Sequence, residues 1–408
     1  MKIAICSLST FTYVAECLDL AAELSRTHEV RYVLGFRSEP AVALLESRGL
    51  SYDVILDGPP VTTGPAHASS TRALFTEFFV RQADAVLPGL VRRLKAWGAG
   101  LVLAHLRDFA GINAADICGI PVVSFGSHAS PVRVEPDDPP FGSGLAVAAS
   151  DAQRRLLWRY DREFHAGLDE EYNARLRRPY GLAPIAHAST HASDRLVLLS
   201  VVPSLGRLAS TPAHVRCVGP LFSNTDVQPT DDERATLTHV DAAPRPRVFV
   251  SLGTTYGASL LPRCLDALQG FDGTIVASGS TERMETAGLI AAPFFSDVHR
   301  VLRACDAVVS VCGGKTLMDA LSHGLPVVGL PQQGEQKDLA VALQHEDAAL
   351  LPCLRKWDAA AFASAVSAVV REPQCRHAAL RLKAEVEASG GVTEAVRAVN
   401  EVLCDVVR

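Results

Sequence analysis

Short apolar runs alternate with amphipathic stretches along the whole chain. An apolar run at residues 2–8 is followed by a segment in which Leu18, Ala21 and Leu24 recur at helical spacing, and a second apolar run follows at 30–34. A strand, a helix and another strand in this order form a βαβ unit, and similar units continue to residue 126. The pattern therefore predicts an α/β fold with a parallel sheet in the first half of the chain.

The same alternation returns in the second half. The apolar runs RVFVSLG, GTIVAS, AVVSV and PVVGLP are separated by segments with helical periodicity, which predicts a second doubly wound unit. Residues 223–245 are rich in Pro, Asp and Thr and lack apolar periodicity, which is typical of a linker. We therefore predict an N-terminal domain at 1–222, a linker at 223–245, a C-terminal domain at 246–390 and an amphipathic helix at 391–408. Packing of that helix back onto the N-terminal domain is one open arrangement.

The composition limits the classes of partner. The 408 residues are 48% hydrophobic and 21% charged, and the formal net charge of −6 provides no basic surface for a polyanion, which argues against nucleic acid. The ten cysteines form no C-x-x-C pair, which is typical of a reduced protein. The first apolar run is too short for a signal peptide or a membrane span. We expect a cytoplasmic protein with no membrane span.

A glycine turn in the second half has the sequence of an anion site. In VVSVCGGKTLMDAL, a strand runs directly into Gly313 and Gly314 and then into a helix, so backbone N–H groups are directed at any anion placed there. The hydroxyl of Thr316 adds a donor, and Lys315 adds a full positive charge that suits a pyrophosphate. The alternative is a tight strand-to-helix turn with an exposed lysine.

An acidic residue and an amide follow the next strand. Glu335 and Gln336 come shortly after Pro331, at the carboxyl end of that strand and on the same side of the predicted sheet. Adjacent carboxylate and amide groups suit a polyhydroxylated ligand. The alternative is a solvated helix start that carries Glu in its first turn.

Two further strand ends in the second half carry candidate binding groups. Gly253, Thr254 and Thr255 follow the strand VFVSL, where hydroxyl and N–H groups could take a phosphate oxygen; helix capping by Thr is the alternative. In APFFSDVHRVL, a base could stack on Phe295 or bond to the backbone of Ser296, with a buried core Phe as the alternative.

These segments together resemble a known family. The motifs are VFVSLGTT, YGLAP, VRCVGPL and PFFSDVHRVLRACDAVVSVCGGKTLMDALSHGLPVVGLPQQGEQKDLA. In this order and spacing they resemble the UDP-glycosyltransferase-like family, especially bacterial natural-product glycosyltransferases. The resemblance is dense over roughly 246–345 and thinner over 1–245. It implies a GT-B fold, in which two facing doubly wound domains enclose a cleft.

The resemblance also implies a reaction. A UDP-sugar or TDP-sugar would bind the C-terminal domain, a small natural-product acceptor would bind the N-terminal domain, and transfer would be inverting. No cofactor and no metal are expected, because N–H groups and a helix end would stabilise the leaving diphosphate. The implied donor contacts are Thr254 and Thr255 with phosphate, Phe295 and Ser296 with the base, Gly313 to Thr316 with pyrophosphate, and Glu335 and Gln336 with the sugar hydroxyls.

The chain departs from the family at the glycine turn. Family members usually have His-Gly-Gly-x-Gly-Thr, whereas pairing on Thr316 places Val311 at the His, Cys312 at the first Gly and Lys315 at the third. The phosphate-binding His is therefore missing. We interpret Lys315 as the residue that restores the charge of that histidine.

A second departure concerns the catalytic base. The resemblance implies a His after the first strand, but Tyr13 occupies that register, and a tyrosine with a pKa of about 10 is a poor base at neutral pH. His105 and Asp108, at the end of the strand LVLAH, are the candidate catalytic groups, and a structurally satisfied His105 is the alternative. His128 could line the acceptor pocket.

Other functions remain to be weighed. The two missing histidines favour a non-catalytic auxiliary relative that stabilises a partner transferase, whereas Thr316, Glu335 and Gln336 favour a transferase. A nucleotide-dependent oxidoreductase is excluded, because the first strand is followed by CSLSTFTY and not by G-x-G-x-x-G. Epimerisation or hydrolysis of a nucleotide sugar on the same fold and a homodimeric assembly stay open.

Overall fold

The chain forms two compact units. The computed structural model describes residues 1–58, 71–127, 132, 137–206, 210–222, 229–332, 334–352 and 356–407. Unit 1 consists of Met1–Val201, Gly206–Phe222 and Ser389–Arg408. Unit 2 consists of Val202–Leu205 and Ser223–Ala388.

Unit 1 is built on a seven-stranded parallel sheet. The strand order is β3-β2-β1-β4-β5-β6-β7 and each neighbouring pair is parallel. Parallel neighbours cannot be joined by a tight turn, so the connections cross the faces of the sheet and helices cover it. The strands are β1 Lys2–Ser7, β2 Glu29–Phe36, β3 Tyr52–Leu56, β4 Leu101–His105, β5 Val122–Gly126, β6 Val197–Leu199 and β7 Val215–Cys217.

Two of the helical segments of unit 1 contain π-helical stretches. A π-helical stretch at Leu74–Val80 joins α4 to α5, and a second π-helical stretch at Asn173–Arg177 follows α8. Short 3₁₀ turns occur at Arg178–Tyr180 and Ala188–Thr190. The α-helices are α1 Phe11–Ala15, α2 Leu18–Leu24, α3 Glu39–Ser47, α4 Thr71–Ala73, α5 Arg81–Trp97, α6 Phe109–Cys118, α7 Asp151–His165, α8 Leu168–Tyr172 and α17 Gly391–Val407.

Alternating residues of β1 supply the two hydrophobic layers of unit 1. Ile3 and Ile5 pack on one face with α2 and α17, whereas Ala4 and Cys6 pack on the other face with α5 and α6. Successive side chains of a strand point to opposite faces, so a strand covered on both sides is apolar at every position. The last helix of the chain is thus part of the core of unit 1.

Unit 2 contains a second seven-stranded sheet, in order β10-β11-β9-β8-β12-β13-β14. All pairs are parallel except β10 with β11, which is a hairpin at the edge. The strands are β8 Arg247–Ser251, β9 Thr274–Ser278, β10 Met284–Thr286, β11 Leu289–Ala292, β12 Ala307–Ser310, β13 Val327–Gly329 and β14 Ala349–Leu350. The helices are α10 Asp231–Ala242, α11 Gly253–Ala267, α12 Val298–Ala304, α13 Gly314–Ser322, α14 Glu335–His345, α15 Ala359–Arg371 and α16 Pro373–Ala388.

The assignment to units changes at four points along the chain. Two of them, before Val202 and before Gly206, are at the short helix α9 Pro203–Gly206, and the other two are before Ser223 and before Ser389. The two doubly wound parallel sheets confirm the predicted α/β class. In both sheets the parallel strands end at one edge, which is where ligands bind in folds of this type.

The segment predicted as a linker contains a helix. Residues 231–242 form α10, and Thr230 caps it by accepting a hydrogen bond from the N–H of Glu233. The sequence shows this start, because Thr is followed three residues later by Glu, but its short apolar face of Leu237 and Val240 gives little periodicity. The helix belongs to unit 2.

Candidate functional site

The glycine turn of unit 2 ends in an uncapped helix. Strand β12 ends at Ser310, Cys312 adopts a left-handed backbone with a φ of 63°, and α13 begins at Gly314. The residue before the helix, Gly313, has no side chain with which to cap it. The first N–H groups of a helix have no intrahelical acceptor and carry a partial positive charge, so this edge of the sheet suits an anion.

Cys312 has a backbone conformation that favours glycine. A left-handed backbone is strained in a residue that has a Cβ atom, and glycine adopts it freely. The thiol is fully buried, and its sulfur lies on Gly329 of β13, where an added Cβ atom would come within 2.7 Å. Burial raises the pKa of the Cys312 thiol to about 12, so the side chain is an apolar packing group at neutral pH.

Lys315 forms an ion pair one turn along the same helix. Its Nζ atom lies 2.6 Å from Oδ2 of Asp319, a buried carboxylate. His299 of α12 is the next titratable group, with Nε2 3.9 Å from Oδ1 of Asp319. Burial lowers the pKa of His299. The Nδ1 atom of His299 lies 2.8 Å from Nε2 of His323, which is hydrogen-bond distance. The lysine thus lies in the first turn of α13 with one compensating carboxylate.

The two phenylalanines in the loop after β11 differ in burial. Phe295 is 2% exposed and packs against Phe249 of β8 with ring centroids 6.2 Å apart, whereas Phe294 is 60% exposed. Ser296 donates hydrogen bonds from its N–H and from its hydroxyl to the Glu233 carboxylate, both at 2.5 Å. The structure therefore places Phe295 in the core, which was the alternative considered for it, and bonds the polar groups of Ser296 to a carboxylate.

The remaining donor-side candidates lie at neighbouring strand ends. Gly253 follows β8 with a φ of 66°, a conformation that favours glycine, and begins α11. Thr254 and Thr255 lie in the first turn of that helix, and their side chains lie outside the described part of the structure. Glu335 and Gln336 begin α14 after β13, and the side-chain oxygen Oε1 of Gln336 accepts a hydrogen bond of 3.0 Å from the backbone N–H of Gln332.

In unit 1, both ring nitrogens of His105 form hydrogen bonds. The N–H of Arg107 donates to Nδ1 at 3.0 Å, so Nδ1 carries the lone pair and Nε2 carries the proton in the neutral ring. Nε2 then donates to the carboxylate of Glu16 at 3.2 Å, which also accepts from Ser200. Tyr13 packs edge-on against the ring with centroids 4.7 Å apart. This arrangement is that of a structurally satisfied histidine.

Asp108 is one of the residues that line a small cavity. It caps α6 by accepting a hydrogen bond of 3.0 Å from the N–H of Gly111. Gly111 allows α6 to approach β1, since a Cβ atom there would lie 2.6 Å from that of Cys6. Burial raises the pKa of Asp108, although backbone N–H groups and His105 act in the opposite direction. A carboxylate with a raised pKa is a better proton acceptor near neutral pH.

The cavity lies at the carboxyl edge of the unit 1 sheet. Its volume is about 20 Å³, which is space for one group of the size of water. The hydroxyl of the buried Ser7, at the end of β1, has no hydrogen-bond partner among the described residues. A carboxylate and a hydroxyl thus line a niche large enough for one hydroxyl group. Its wall includes Ser7, Gly35, Phe36, Phe79, Arg107 and Asp108.

Arg107 is a charged residue that the sequence analysis missed. Its guanidinium is buried, lies 3.8 Å and 4.8 Å from the ring centroids of Phe141 and Phe75, and donates to the Ser189 carbonyl at 3.3 Å. Such stacking stabilises a cation away from water. The only sequence signal was its place after a predicted buried strand.

Two carboxylates were also missed. Glu16 interrupts the apolar run between α1 and α2, and a lone acidic residue there is the signal for its pairing with His105. Glu233 lay inside the predicted linker and had no signal beyond the capping pattern of α10. His128 lies outside the described residues.

A family match covers much of unit 2 and the last helix. Residues 262–402 match the erythromycin biosynthesis protein CIII-like, C-terminal domain family. Among curated relatives, a PGL/p-HBAD biosynthesis glycosyltransferase of Mycobacterium tuberculosis is 30% identical over 212 residues, which is 51% of this chain and 48% of the relative. The match therefore spans about half the length of that relative. The 4'-demethylrebeccamycin synthase of Lentzea aerocolonigenes is 28% identical over 410 residues, covering 94% of this chain and 95% of the relative.

Solved structures agree over almost the whole chain. The glycotransferase of kitacinnamycin superposes with a TM-score of 0.72 at 16% identity and covers 98% of both chains. The spinosyn rhamnosyltransferase complexed with thymidine diphosphate superposes with a TM-score of 0.70 at 20% identity, covering 98% of this chain and 100% of the other. The chain has the GT-B fold, and the predicted resemblance to natural-product glycosyltransferases is confirmed.

Within the ranges that the structure describes, none of the helices combines the length and the apolar character that a bilayer crossing requires.

Proposed function

We propose that this chain, with its erythromycin biosynthesis protein CIII-like C-terminal domain and its GT-B fold, is an inverting glycosyltransferase. Its donor is a TDP-sugar or a UDP-sugar, and its acceptor is a small natural product. The observation that carries the proposal is the start of α13, where a glycine turn, an uncapped helix end and Lys315 meet at the carboxyl edge of a parallel sheet. That combination suits a diphosphate.

The diphosphate binds at Gly313 to Thr316. The helix end supplies N–H donors, Thr316 supplies a hydroxyl, and Lys315 supplies the charge that a histidine provides elsewhere in the family. Lys315 is paired with Asp319 at 2.6 Å and is about one quarter exposed, so rotation of its flexible side chain is enough to bring the ammonium to a phosphate. Thymidine diphosphate is the preferred nucleotide, because it is the bound nucleotide in two structural neighbours.

The base-binding loop requires a change in one contact. The N–H and the hydroxyl of Ser296 are the donors that suit a nucleotide base. In the structure both donate to the Glu233 carboxylate. The base therefore forms hydrogen bonds with backbone groups next to Ser296 and Glu233, or it displaces the Glu233 carboxylate from Ser296. The exposed ring of Phe294 offers a stacking face on the same loop.

The acceptor reacts at the niche of unit 1. Asp108 takes the proton of the acceptor hydroxyl, which the niche of about 20 Å³ admits beside Ser7. Both nitrogens of His105 are engaged, and Tyr13 is held against its ring, so these two residues position the wall near the base. Asp108 is then the catalytic base and His105 is a positioning residue.

The reaction balances without a further reagent. As Asp108 accepts the proton, the acceptor oxygen forms a bond to the anomeric carbon and the bond from that carbon to the diphosphate oxygen breaks. The electron pair leaves on the diphosphate, whose negative charge is stabilised by the N–H groups of α13 and by Lys315. Attack opposite the leaving group inverts the configuration of the anomeric carbon. In this scheme a metal ion is not needed for the diphosphate.

The proposal is tested with a panel of nucleoside diphosphates. TDP, UDP and GDP are added to the full-length protein and the midpoint of thermal unfolding is measured, because a ligand that binds only the folded state stabilises it by about 2.7 kcal/mol at 100 times its dissociation constant. We expect TDP to raise the midpoint most. A protein that none of the three stabilises would not be a nucleotide-sugar transferase. Binding of TDP without release of TDP from any TDP-sugar, with or without hydroxylated aglycones, would instead identify an inactive relative.

A further inference from the structure

Three metal-binding side chains come together in unit 1, away from the strand ends. Asp161 and His165 are four residues apart on α7 and therefore share a face, and His187 precedes the 3₁₀ turn at Ala188–Thr190. Oδ1 of Asp161 lies 3.7 Å from Nε2 of His165, and Oδ2 of Asp161 lies 3.3 Å from Nδ1 of His187. All three side chains offer ligand atoms within 4.8 Å of one another.

These separations fit one small cation. Zinc binds imidazole nitrogen and carboxylate oxygen at about 2.0–2.2 Å, and the edge of a tetrahedron of that size is roughly 3.3–3.6 Å. The separation of 3.3 Å from Oδ2 of Asp161 matches such an edge, and that of 3.7 Å from Oδ1 is slightly longer than one. Two imidazoles and one carboxylate are a donor set that suits Zn²⁺ and not the oxygen-seeking Mg²⁺ or Ca²⁺.

Asp169 supports both histidines from behind. Its Oδ1 atom lies 3.0 Å from Nδ1 of His165, so His165 donates its Nδ1 proton to Asp169. The Nε2 lone pair of His165 then faces Asp161 and the Ser189 hydroxyl. The same carboxylate accepts from the N–H groups of His187 at 2.9 Å and Ala188 at 2.8 Å. A carboxylate that orients a metal-binding histidine through its second nitrogen is the usual support of a zinc site.

The backbone at His187 is shaped for the cluster. His187 has a φ of 56° and a ψ of 55°, a left-handed conformation that is strained for a residue with a Cβ atom. The two hydrogen bonds to Asp169 hold it there. Asp161 and His165 are buried, whereas the His187 side chain is 54% exposed, so the cluster is open to solvent on one side only. A cation can enter there and retain a water ligand.

We propose that Asp161, His165 and His187 form a structural binding site for a divalent transition metal, with Zn²⁺ as the preferred ion and water completing the coordination. The bound ion would join α7 to the turn that carries Ser189. The Ser189 hydroxyl lies 3.2 Å from Nε2 of His165, and its carbonyl accepts from Arg107 in the wall of the niche. The ion would therefore stabilise one wall of unit 1 and take no part in proton or sugar transfer.

The test uses the full-length protein without an affinity tag, treated with EDTA and dialysed. Isothermal titration with ZnCl₂ near neutral pH is expected to show one high-affinity ion per chain, and CoCl₂ is expected to give the strong visible absorption of a four-coordinate or five-coordinate site. Zn²⁺ should also raise the midpoint of thermal unfolding. Protein that binds no Zn²⁺ in the titration would overturn the proposal.

Three variants locate the ion. H187N removes an exposed ligand and leaves the core intact, so it should lower Zn²⁺ affinity at least 10-fold, and D169N should lower it roughly 10-fold to 100-fold through the orientation of His165. H239N is the matched control, because His239 is 59% exposed and is paired with a single carboxylate, Glu285, in unit 2. H187N that binds Zn²⁺ as tightly as H239N would place the ion elsewhere and contradict the proposal.

Discussion

The ammonium of Lys315 lies 2.6 Å from the carboxylate of Asp319, one turn further along α13. A cation at the first turn of a helix is unfavourable toward the helix dipole, so the carboxylate compensates a charge that the fold alone does not need. This ion pair suits a lysine that stays near the helix end until a bound phosphate replaces Asp319 as its partner.

The charge of Lys315 should contribute to nucleotide affinity. K315M removes the ammonium and keeps most of the apolar part of the side chain. A charge-assisted hydrogen bond of about 1.5–3 kcal/mol corresponds to roughly a 10-fold to 100-fold loss of TDP affinity. D319N is the complementary variant and should bind TDP more tightly, because the competing carboxylate is gone. Isothermal titration of both variants with TDP measures this. Equal affinities in K315M and in the unaltered protein would remove Lys315 from the site.

Asp108 can be tested without loss of its helix cap. Asparagine caps a helix as well as aspartate does, so D108N should fold with a stability within about 1 kcal/mol of the unaltered protein. Loss of the base should lower kcat roughly 10²-fold to 10⁴-fold, with little change in the affinity for TDP. The rate of sugar transfer and the urea midpoint are the measurements. A D108N enzyme with full kcat would show that the proton goes elsewhere.

Glu233 should be important for the stability of unit 2. Its buried carboxylate accepts from the N–H and hydroxyl of Ser296 and from the N–H of Asp297. E233Q keeps one acceptor oxygen and replaces the other with a donor, so we expect a loss of about 1–3 kcal/mol in the free energy of unfolding by urea. E285Q, at an exposed carboxylate of the same unit, is the control and should change it by less than about 0.5 kcal/mol. A similar result for both variants would mean that the Ser296 contact contributes nothing.

His191 should make the stability of unit 1 sensitive to acid. Burial lowers the pKa of His191 to about 4, and its Nδ1 atom lies 2.5 Å from the hydroxyl of Tyr172. The folded state therefore keeps the ring neutral, whereas the unfolded chain takes up a proton below a pH of about 6.5. The stabilisation is complete above that pH and is lost as the pH falls toward 4, by at most about 3 kcal/mol.

Comparison of H191Q with the unaltered protein isolates that contribution. The free energy of unfolding is measured by urea between pH 4 and pH 7, and the slope against pH should be smaller in the variant. The variant should also lose some stability at neutral pH, because Tyr172 and Asn113 form one hydrogen-bond network with this histidine. Parallel curves for the two proteins would show that His191 is not the titrating group.

Sequence alone predicted the two sheets because their strands are covered on both sides. Such strands contain runs that are continuously apolar, as in residues 3–6 and 248–250, and the intervening helices keep their 3.6-residue spacing. The short helix α10 was not predicted, because most of its residues are polar and it buries only a narrow face. A pattern method recognises burial, and α10 buries little.

The candidate sites were predictable only as far as the backbone defines them. The turn at Gly313 and the strand end at Gly253 follow from glycine and from the strand order, and the structure places both at the carboxyl edge of the unit 2 sheet. The partners of individual side chains do not follow. Glu16 reaches His105 across 89 positions and Glu233 reaches Ser296 across 63, and no local spacing predicts pairs of that separation.

The most direct measurement is a crystal structure of the protein with bound TDP. The account predicts electron density for the diphosphate at the start of α13, with phosphate oxygens within hydrogen-bond distance of the Gly314 and Thr316 N–H groups and with the Lys315 ammonium turned from Asp319 toward the phosphate. Density for the diphosphate at any other place, or an ordered α13 turn with no nucleotide at a saturating concentration of TDP, would contradict it.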